Sequence, residues 1–192
     1  MPAPEISFVL LDRREAAGDR DEVAAVAAEV YADPPYGWRG DQAEHFATRL
    51  AVQCRQPGFV LAEARHGGYL VGYAFGMPLR PATSWWRQLT TPLPADVTAE
   101  YAGRTFALAD LAVRAAWRRQ GIATTLYGMV MADRPEERAT LAVLPAAGPA
   151  QSAYRSWGWR KVARTRDPDP GSPVLDVLLL TLAREPSRGL RR

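Results

Sequence analysis

The segment Leu111-Ala112-Val113-Arg114-Ala115-Ala116-Trp117-Arg118-Arg119-Gln120-Gly121-Ile122-Ala123-Thr124 passes from a strand through a tight turn into a helix. Thr105–Val113 is rich in β-branched and apolar residues and reads as a strand. Beyond the turn, Ile122, Leu126, Met129 and Val130 fall on one stripe of a helix that starts near Gly121. The first amides of such a helix have no intrahelical acceptor, and its dipole adds partial positive charge there. Gly121 and Ala123 let an anion approach the backbone, and Arg118 and Arg119 strengthen its attraction. The segment is therefore predicted to cradle a phosphate group. Other phosphate loops do not match, because neither Gly-x-x-x-x-Gly-Lys-Ser/Thr nor a Gly-x-Gly-x-x-Gly after the first strand is present.

Downstream, Thr140–Leu144 reads as a short buried strand stopped by Pro145. Ala150, Ala153, Tyr154 and Trp157 lie at i, i+3, i+4 and i+7, giving a short helix closed by Gly158. Trp159–Thr165 and Val174–Leu182 are predicted as the last two strands, separated by the Pro/Gly-rich Arg166–Pro173. Upstream, Ile6–Leu11 reads as an opening strand, and Phe59–Arg65 and Tyr69–Met77 as a hairpin turned at His66-Gly67-Gly68. Two helices precede that hairpin. The first is predicted to be capped by Asp19 with Glu22 and to bury Val23, Val26, Ala27 and Val30; the second to start at Asp41 with Glu44 and to bury Phe46, Leu50 and Cys54. The aromatic loop Tyr31–Arg39 joins them. Arg80–Gly103, with Pro81, Pro92, Pro94, Trp85, Trp86 and Tyr101, has no regular pattern, as expected of a lid or binding loop.

The 192 residues, 47% hydrophobic and 23% charged, fit one folded domain. Residues 1–184 are expected to form that α/β (α+β) domain around a mixed sheet, and 185–192 a flexible basic tail. Cys54 is the only cysteine and there are two histidines, so neither a disulfide nor a Cys/His metal site is expected. No segment reads as a membrane span or a signal peptide, which leads to an expected cytoplasmic location. Lys161 is the only lysine among 24 basic residues and alanine is abundant, as in a GC-rich, bacterial coding sequence. The net charge of +3 suits an anionic ligand, but no long basic stripe is interleaved with aromatics, so nucleic acid is not an expected partner.

Arg118-x-x-Gly121-x-Ala123 resembles the Arg/Gln-x-x-Gly-x-Gly/Ala signature of the GNAT superfamily of acyl-CoA-dependent N-acyltransferases. Ala150-x-x-Ala153-Tyr154-x-x-x-Gly158-Trp159 is similar to its Ala-x-x-Leu/Phe-Tyr-x-x-x-Gly-Phe segment. The order of elements also matches along nearly the whole chain, apart from Arg80–Gly103 and the first loop. The resemblance implies a mostly antiparallel central sheet with helices on both faces and one splayed parallel pair, Leu108–Val113 and Thr140–Leu144. It implies acetyl-CoA as co-substrate, no metal, and direct attack of an amine on the thioester. Leu111, Ala112 and Val113 would meet the pantetheine and acyl arm. Arg118, Arg119, Gln120, Gly121, Ile122, Ala123 and Thr124 would surround the pyrophosphate.

Tyr154 corresponds to the family tyrosine that protonates the departing thiolate. The helical spacing of Tyr154 by itself also fits a core position. Ala107 and Ala109 stand where many relatives carry a Glu or His base, and Ala147 where relatives often carry a cofactor-binding Asn. Asp110 is the nearest carboxylate, but period-two alternation points it to the opposite face unless a bulge re-aims it. Glu63, Asp33 and Glu29 are further candidates. Tyr31, Tyr36, Trp38, Trp85 and Trp86 are candidates for enclosing the acceptor. The expected activity is acetyl transfer to the primary amine of a small molecule, and a homodimer is compatible with it. The competing reading, raised by the three alanines, is an acyl-CoA-binding sensor or scaffold without turnover.

Overall fold

The structure, a computed structural model, describes residues 5–166 and 172–182. The expected basic tail at 185–192 lies outside the described residues. Seven strands, β1 (Ile6–Asp12), β2 (Val60–His66), β3 (Tyr69–Pro78), β4 (Thr105–Val113), β5 (Arg138–Val143), β6 (Arg160–Arg166) and β7 (Val174–Thr181), form one sheet in the order β1-β2-β3-β4-β5-β7-β6. Every neighbouring pair is antiparallel except β4 and β5. The helices are α1 (Arg20–Ala32), α2 (Gly40–Gln53), the single turn α3 (Ala95–Thr98), α4 (Ile122–Met131) and α5 (Gly148–Ser156). Among the described residues no helix is long and apolar enough to cross a membrane.

Alternation along the strands separates two main cores. On one face, Val23, Val26, Ala27 and Val30 of α1 and Phe46 and Leu50 of α2 pack on Leu61, Leu70, Tyr73, Phe75 and Met77. On the other, Ile122, Leu126 and Val130 of α4 and Tyr154 of α5 pack on Ala62, Val71, Phe106, Leu108, Leu141 and Leu178. Cys54 belongs to the first core at 3% exposure, and its thiol donates weakly to the Ala51 carbonyl.

The segment between β3 and β4 is largely irregular, as expected, but it is tied down along its length. Trp86, Leu89 and Leu93 pack on Ala163, Val177 and Leu179, and Leu89 bridges to Thr165 beside β6. A polar knot holds its end. The carboxylate of Glu100, whose side chain is only 1% exposed, pairs with Arg138 at 2.9 Å and accepts from Trp86 Nε1 at 2.9 Å and Thr105 Oγ1 at 2.8 Å. The Arg138 guanidinium also lies 5.3 Å above the Trp86 ring.

The predicted caps are corrected. Neither the Asp19 nor the Asp41 side chain caps a helix. Arg65 draws Glu22 to 2.8 Å and Asp19 to 3.7 Å, and Glu22 also accepts from the Leu70 amide at 3.3 Å. A guanidinium is a stronger partner for a carboxylate than a neutral amide. Helix α2 begins before Asp41, with Gln42 Oε1 accepting from the Arg39 amide at 2.6 Å.

Candidate active site

Two departures from regular pairing open the middle of the sheet. First, β4 and β5 pair only at Thr105–Arg138, Phe106–Ala139 and Ala107–Thr140. From Leu108 onward β4 stays with β3 while β5 stays with β7, so the parallel strands part. Second, Phe75 pairs with Asp110 but Gly76 with Leu108, leaving Ala109 as an extra, bulged residue. Leu108 faces the α4–α5 core, while Ala109 and Ala112 face the α1–α2 core. The bulge therefore turns Asp110 to the α1–α2 side, the re-aiming its sequence position required. Gly76 makes this approach possible, since a Cβ there would strike the Ala107 carbonyl and the Phe106 ring at 2.6 Å.

Asp110 sits in a ring of donors. Its Oδ1 accepts from the Tyr31 hydroxyl and, at 2.7 Å, from the Leu111 amide; its Oδ2 accepts from the Tyr73 hydroxyl at 3.3 Å. Burial pushes the carboxyl above its ordinary range, opposed by the Tyr31 bond, Arg49, the Leu111 amide and Tyr73. Burial, reinforced by the Asp110 charge, raises the phenols of Tyr31 and Tyr73 well above their usual value. Both tyrosines therefore stay protonated and donate. Tyr73 carried no functional signal in the sequence, because only the pairing of Tyr73 with Ala112 sets it beside Asp110.

The aromatic loop forms a wall around this carboxylate. Tyr31 lies 4.5 Å from Tyr36 and 4.6 Å from Trp38, and the Trp38 amide donates to the Tyr31 carbonyl at 2.8 Å. Tyr36 packs against both main cores. Its phenol is raised by burial and by Asp110, and Arg118 acts against that rise, so the loop, the carboxylate and the basic turn share one electrostatic environment.

Tyr154 comes from the opposite face, on α5. It packs edge-on to Trp157 and Trp159, and among the described residues its hydroxyl has no hydrogen-bond partner. Burial, then the charge of Asp110, raises its phenol above the ordinary value. Trp85 and Trp86 are not brought to this group. Trp86 is buried in the third core beneath Arg138, and Trp85 packs beside it. Ala147 is the N-cap residue of α5, 2% exposed and without a capping side chain. Of the other carboxylates, Glu63 is paired with Arg65 and Glu29 with Arg114, while Asp33 is exposed.

The turn between β4 and α4 has the conformation its sequence called for. Gly121, the N-cap, has φ 81° and Arg119 has φ 64°, both left-handed. Among the described residues, the amides of Arg119, Gln120, Gly121, Ile122, Ala123 and Thr124 have no acceptor; the first helical bond runs from Thr125 to Gly121. Arg118 is fixed by its Nε donating to the Val113 carbonyl at 3.0 Å, and both Arg118 and Arg119 are exposed. Arg114 is committed elsewhere, paired with Glu29 and donating to the Leu70 carbonyl at 2.8 Å. The turn thus offers a dense set of unpaired backbone donors, next to the point where β4 and β5 cease to pair.

Comparison with known proteins agrees with this geometry. The sequence profile of the Acetyltransferase (GNAT) family matches residues 24–159. Among solved structures, the PaiA N-acetyltransferase from Thermoplasma acidophilum in complex with coenzyme A is 13% identical, with 93% of this chain and 99% of that one covered and a TM-score of 0.61. The ribosomal-protein-S18-alanine N-acetyltransferase from Escherichia coli is 14% identical, with 96% and 98% covered and a TM-score of 0.63. An aminoglycoside 6'-N-acetyltransferase complexed with coenzyme A is 13% identical, with 94% and 99% covered and a TM-score of 0.62. No curated protein sequence matches the chain. These structural likenesses are of fold, and the profile spans most of the chain. With its mixed sheet, split parallel pair and glycine-opened helix, the protein belongs to the acetyltransferase (GNAT) family.

Proposed function

We propose that this protein transfers an acetyl group from acetyl-CoA to the primary amine of a small molecule by direct attack in a ternary complex. The observation that carries the reading is a convergence at the β4–β5 opening. Unpaired amides from Arg119 to Thr124 lie at its mouth, Asp110 with Tyr31 on one face, and Tyr154 on the other. The diphosphate is held by that turn with Arg118 and Arg119, and the edge Leu111-Ala112-Val113 guides the pantetheine. Acetyl-CoA supplies the acyl group as an activated thioester.

Asp110 is the proton acceptor in this scheme, and its two oxygens are already bonded to Tyr31, Leu111 and Tyr73. The incoming amine therefore gives its proton to the Tyr31 oxygen while the Tyr31 hydrogen moves onto Asp110 Oδ1. Tyr154 donates a hydrogen bond to the departing sulfur. A phenol raised by burial is a weaker acid than a thiol of ordinary pKa about 8.5, so stabilisation by donation comes before any full proton transfer. The packed rings of Tyr31, Tyr36 and Trp38 form an enclosing wall and favour a compact acceptor over an extended peptide. An aminoglycoside acetyltransferase of the same fold is a precedent for such an acceptor.

The test is a panel of small primary amines and short peptides incubated with acetyl-CoA, with free CoA followed as a thiol. The proposal expects release above background hydrolysis with at least one small amine and no gain from peptides. CoA binding by calorimetry without release for any amine would sink it.

A further inference from the structure

The two edges of the sheet differ in how they meet solvent. β6, at one end, carries Arg160, Lys161, Arg164 and Arg166 and is covered by the segment between β3 and β4. Leu89 bridges to Thr165, the Thr90 amide donates to the Arg164 carbonyl at 2.8 Å, and the Arg166 amide donates to the Gln88 carbonyl at 3.2 Å. Cationic side chains and a covering segment both keep an edge strand from recruiting another chain. β1, at the other end, has neither protection. Ile6–Leu11 reads Ile-Ser-Phe-Val-Leu-Leu, without charge, proline or glycine, and among the described residues no backbone hydrogen bond reaches its outer edge.

The side chains of β1 are open on both faces of the sheet. Ile6 packs towards the α4–α5 core and Leu11 towards the α1–α2 core, so alternation places Phe8 and Leu10 with Ile6, and Ser7 and Val9 with Leu11. Phe8, Val9 and Leu10 are 37%, 40% and 42% exposed. An uncharged edge with consecutive exposed apolar residues is a template for a further strand.

The residues of β1 suit a second copy of themselves. In an antiparallel ladder two facing residues either both turn their backbone groups to the partner or both turn them away, so a twofold axis relating two β1 strands passes through a residue and never between residues. Centring it on Val9 pairs all seven residues of β1, and moving it to either neighbouring residue shortens the ladder to five. In the centred register Val9 faces Val9 of the second copy. Phe8 faces Leu10 of the second copy on one side of the sheet, and Ser7 faces Leu11 of the second copy on the other. Just beyond the strand ends, Glu5 faces Arg13 of the second copy. Both are exposed, and among the described residues neither forms an ion pair within its own chain. The register with the longest ladder thus also sets two opposite-charge pairs across the axis. We propose that the chain forms a homodimer through antiparallel β1–β1 pairing, which continues the sheet across the twofold axis. The assembly stops at two, because the pairing consumes β1 in both copies and the remaining edge is the cationic, covered β6.

The proposal is independent of the acetyl-transfer reading, since β2 and β3 separate β1 from the β4–β5 opening. The test uses the full chain. Sedimentation velocity on a dilution series from about 100 μM to about 1 μM should show a reversible monomer–dimer equilibrium. Val9→Lys sets two like charges face to face and should raise the dimer Kd at least about tenfold. Glu5→Arg and Arg13→Glu should each weaken the dimer, and the two combined should restore it. The register is read with Val9→Cys oxidised by diamide, a small apolar substitution that still reports if lysine disturbs folding. Cys54, the only native cysteine, is buried. Facing residues lie about 4.5–5.5 Å apart at Cα, within disulfide reach, so Val9→Cys should cross-link to a dimer. Phe8→Cys, whose two copies lie about 8 Å apart on the diagonal, should not. A wild type that stays monomeric throughout overturns the proposal and leaves β1 to a strand of another protein. A dimer unchanged in Val9→Lys, or one that fails to cross-link through Val9→Cys, lies on another surface and overturns it as well.

Discussion

Replacing Gly121 by alanine isolates the conformation of the α4 turn from its packing. A Cβ at Gly121 would meet nothing within 4 Å, so the substitution introduces no clash. Its cost comes from φ 81°, a left-handed state that penalises an L-residue by roughly 1–2 kcal/mol. At about 2–4 °C per kcal/mol for a chain of this size, the melting temperature should fall by about 2–8 °C. The alternative open to the variant is to relax the turn, which redirects the amides from Arg119 to Thr124. Losing two amide–phosphate bonds of about 1.5–3 kcal/mol each corresponds to a loss of CoA affinity of about 100-fold or more. Asparagine tolerates the left-handed region better than alanine despite its larger side chain. Calorimetric titration with CoA should therefore rank wild type first, Gly121→Asn second and Gly121→Ala last. An alanine variant that binds CoA within about twofold of wild type, or one that outperforms asparagine, would refute the claim that backbone conformation presents these donors.

Three further outcomes are expected. Tyr154→Phe keeps the ring contacts with Trp157 and Trp159 and removes only the donor; kcat with the identified amine should fall about 100-fold while CoA affinity is unchanged. Tyr31→Phe removes the hydroxyl that lowers the Asp110 pKa. The carboxyl then ionises only at higher pH, so the acid limb of the kcat/KM profile should move upward, and an unmoved limb would exclude Asp110 as the titrating base. Arg138→Ala leaves Glu100 buried without its cation. The cost is roughly 3–5 kcal/mol, visible as a fall in melting temperature of about 6–20 °C.

The local elements were legible in the sequence because each depends on neighbours along the chain. The stripe of Ile122, Leu126 and Val130, the β2–β3 hairpin turned at Gly67-Gly68, and the glycine opening α4 are all found in the structure. The turn was legible for the same reason: amides at a helix start lack partners whatever packs around them. The predicted caps failed because Asp19 and Glu22 are drawn to Arg65, remote in sequence. The five candidate aromatics looked equivalent as loop residues, yet Tyr31, Tyr36 and Trp38 pack together beside Asp110 while Trp85 and Trp86 anchor a separate core.

The sequence by itself determined where a helix opens with unpaired amides beside two arginines, since that property resides in Arg118, Arg119, Gly121 and the helix they introduce. Only the tertiary structure decided which side chains face one another across the neighbouring sheet. Whether Asp110 points to one side of the sheet or the other depends on a single extra residue at Ala109, and that bulge exists through the pairing of β4 with β3. Its donors Tyr31 and Tyr73 lie 79 and 37 residues away, and pairing and packing alone bring them to one carboxylate.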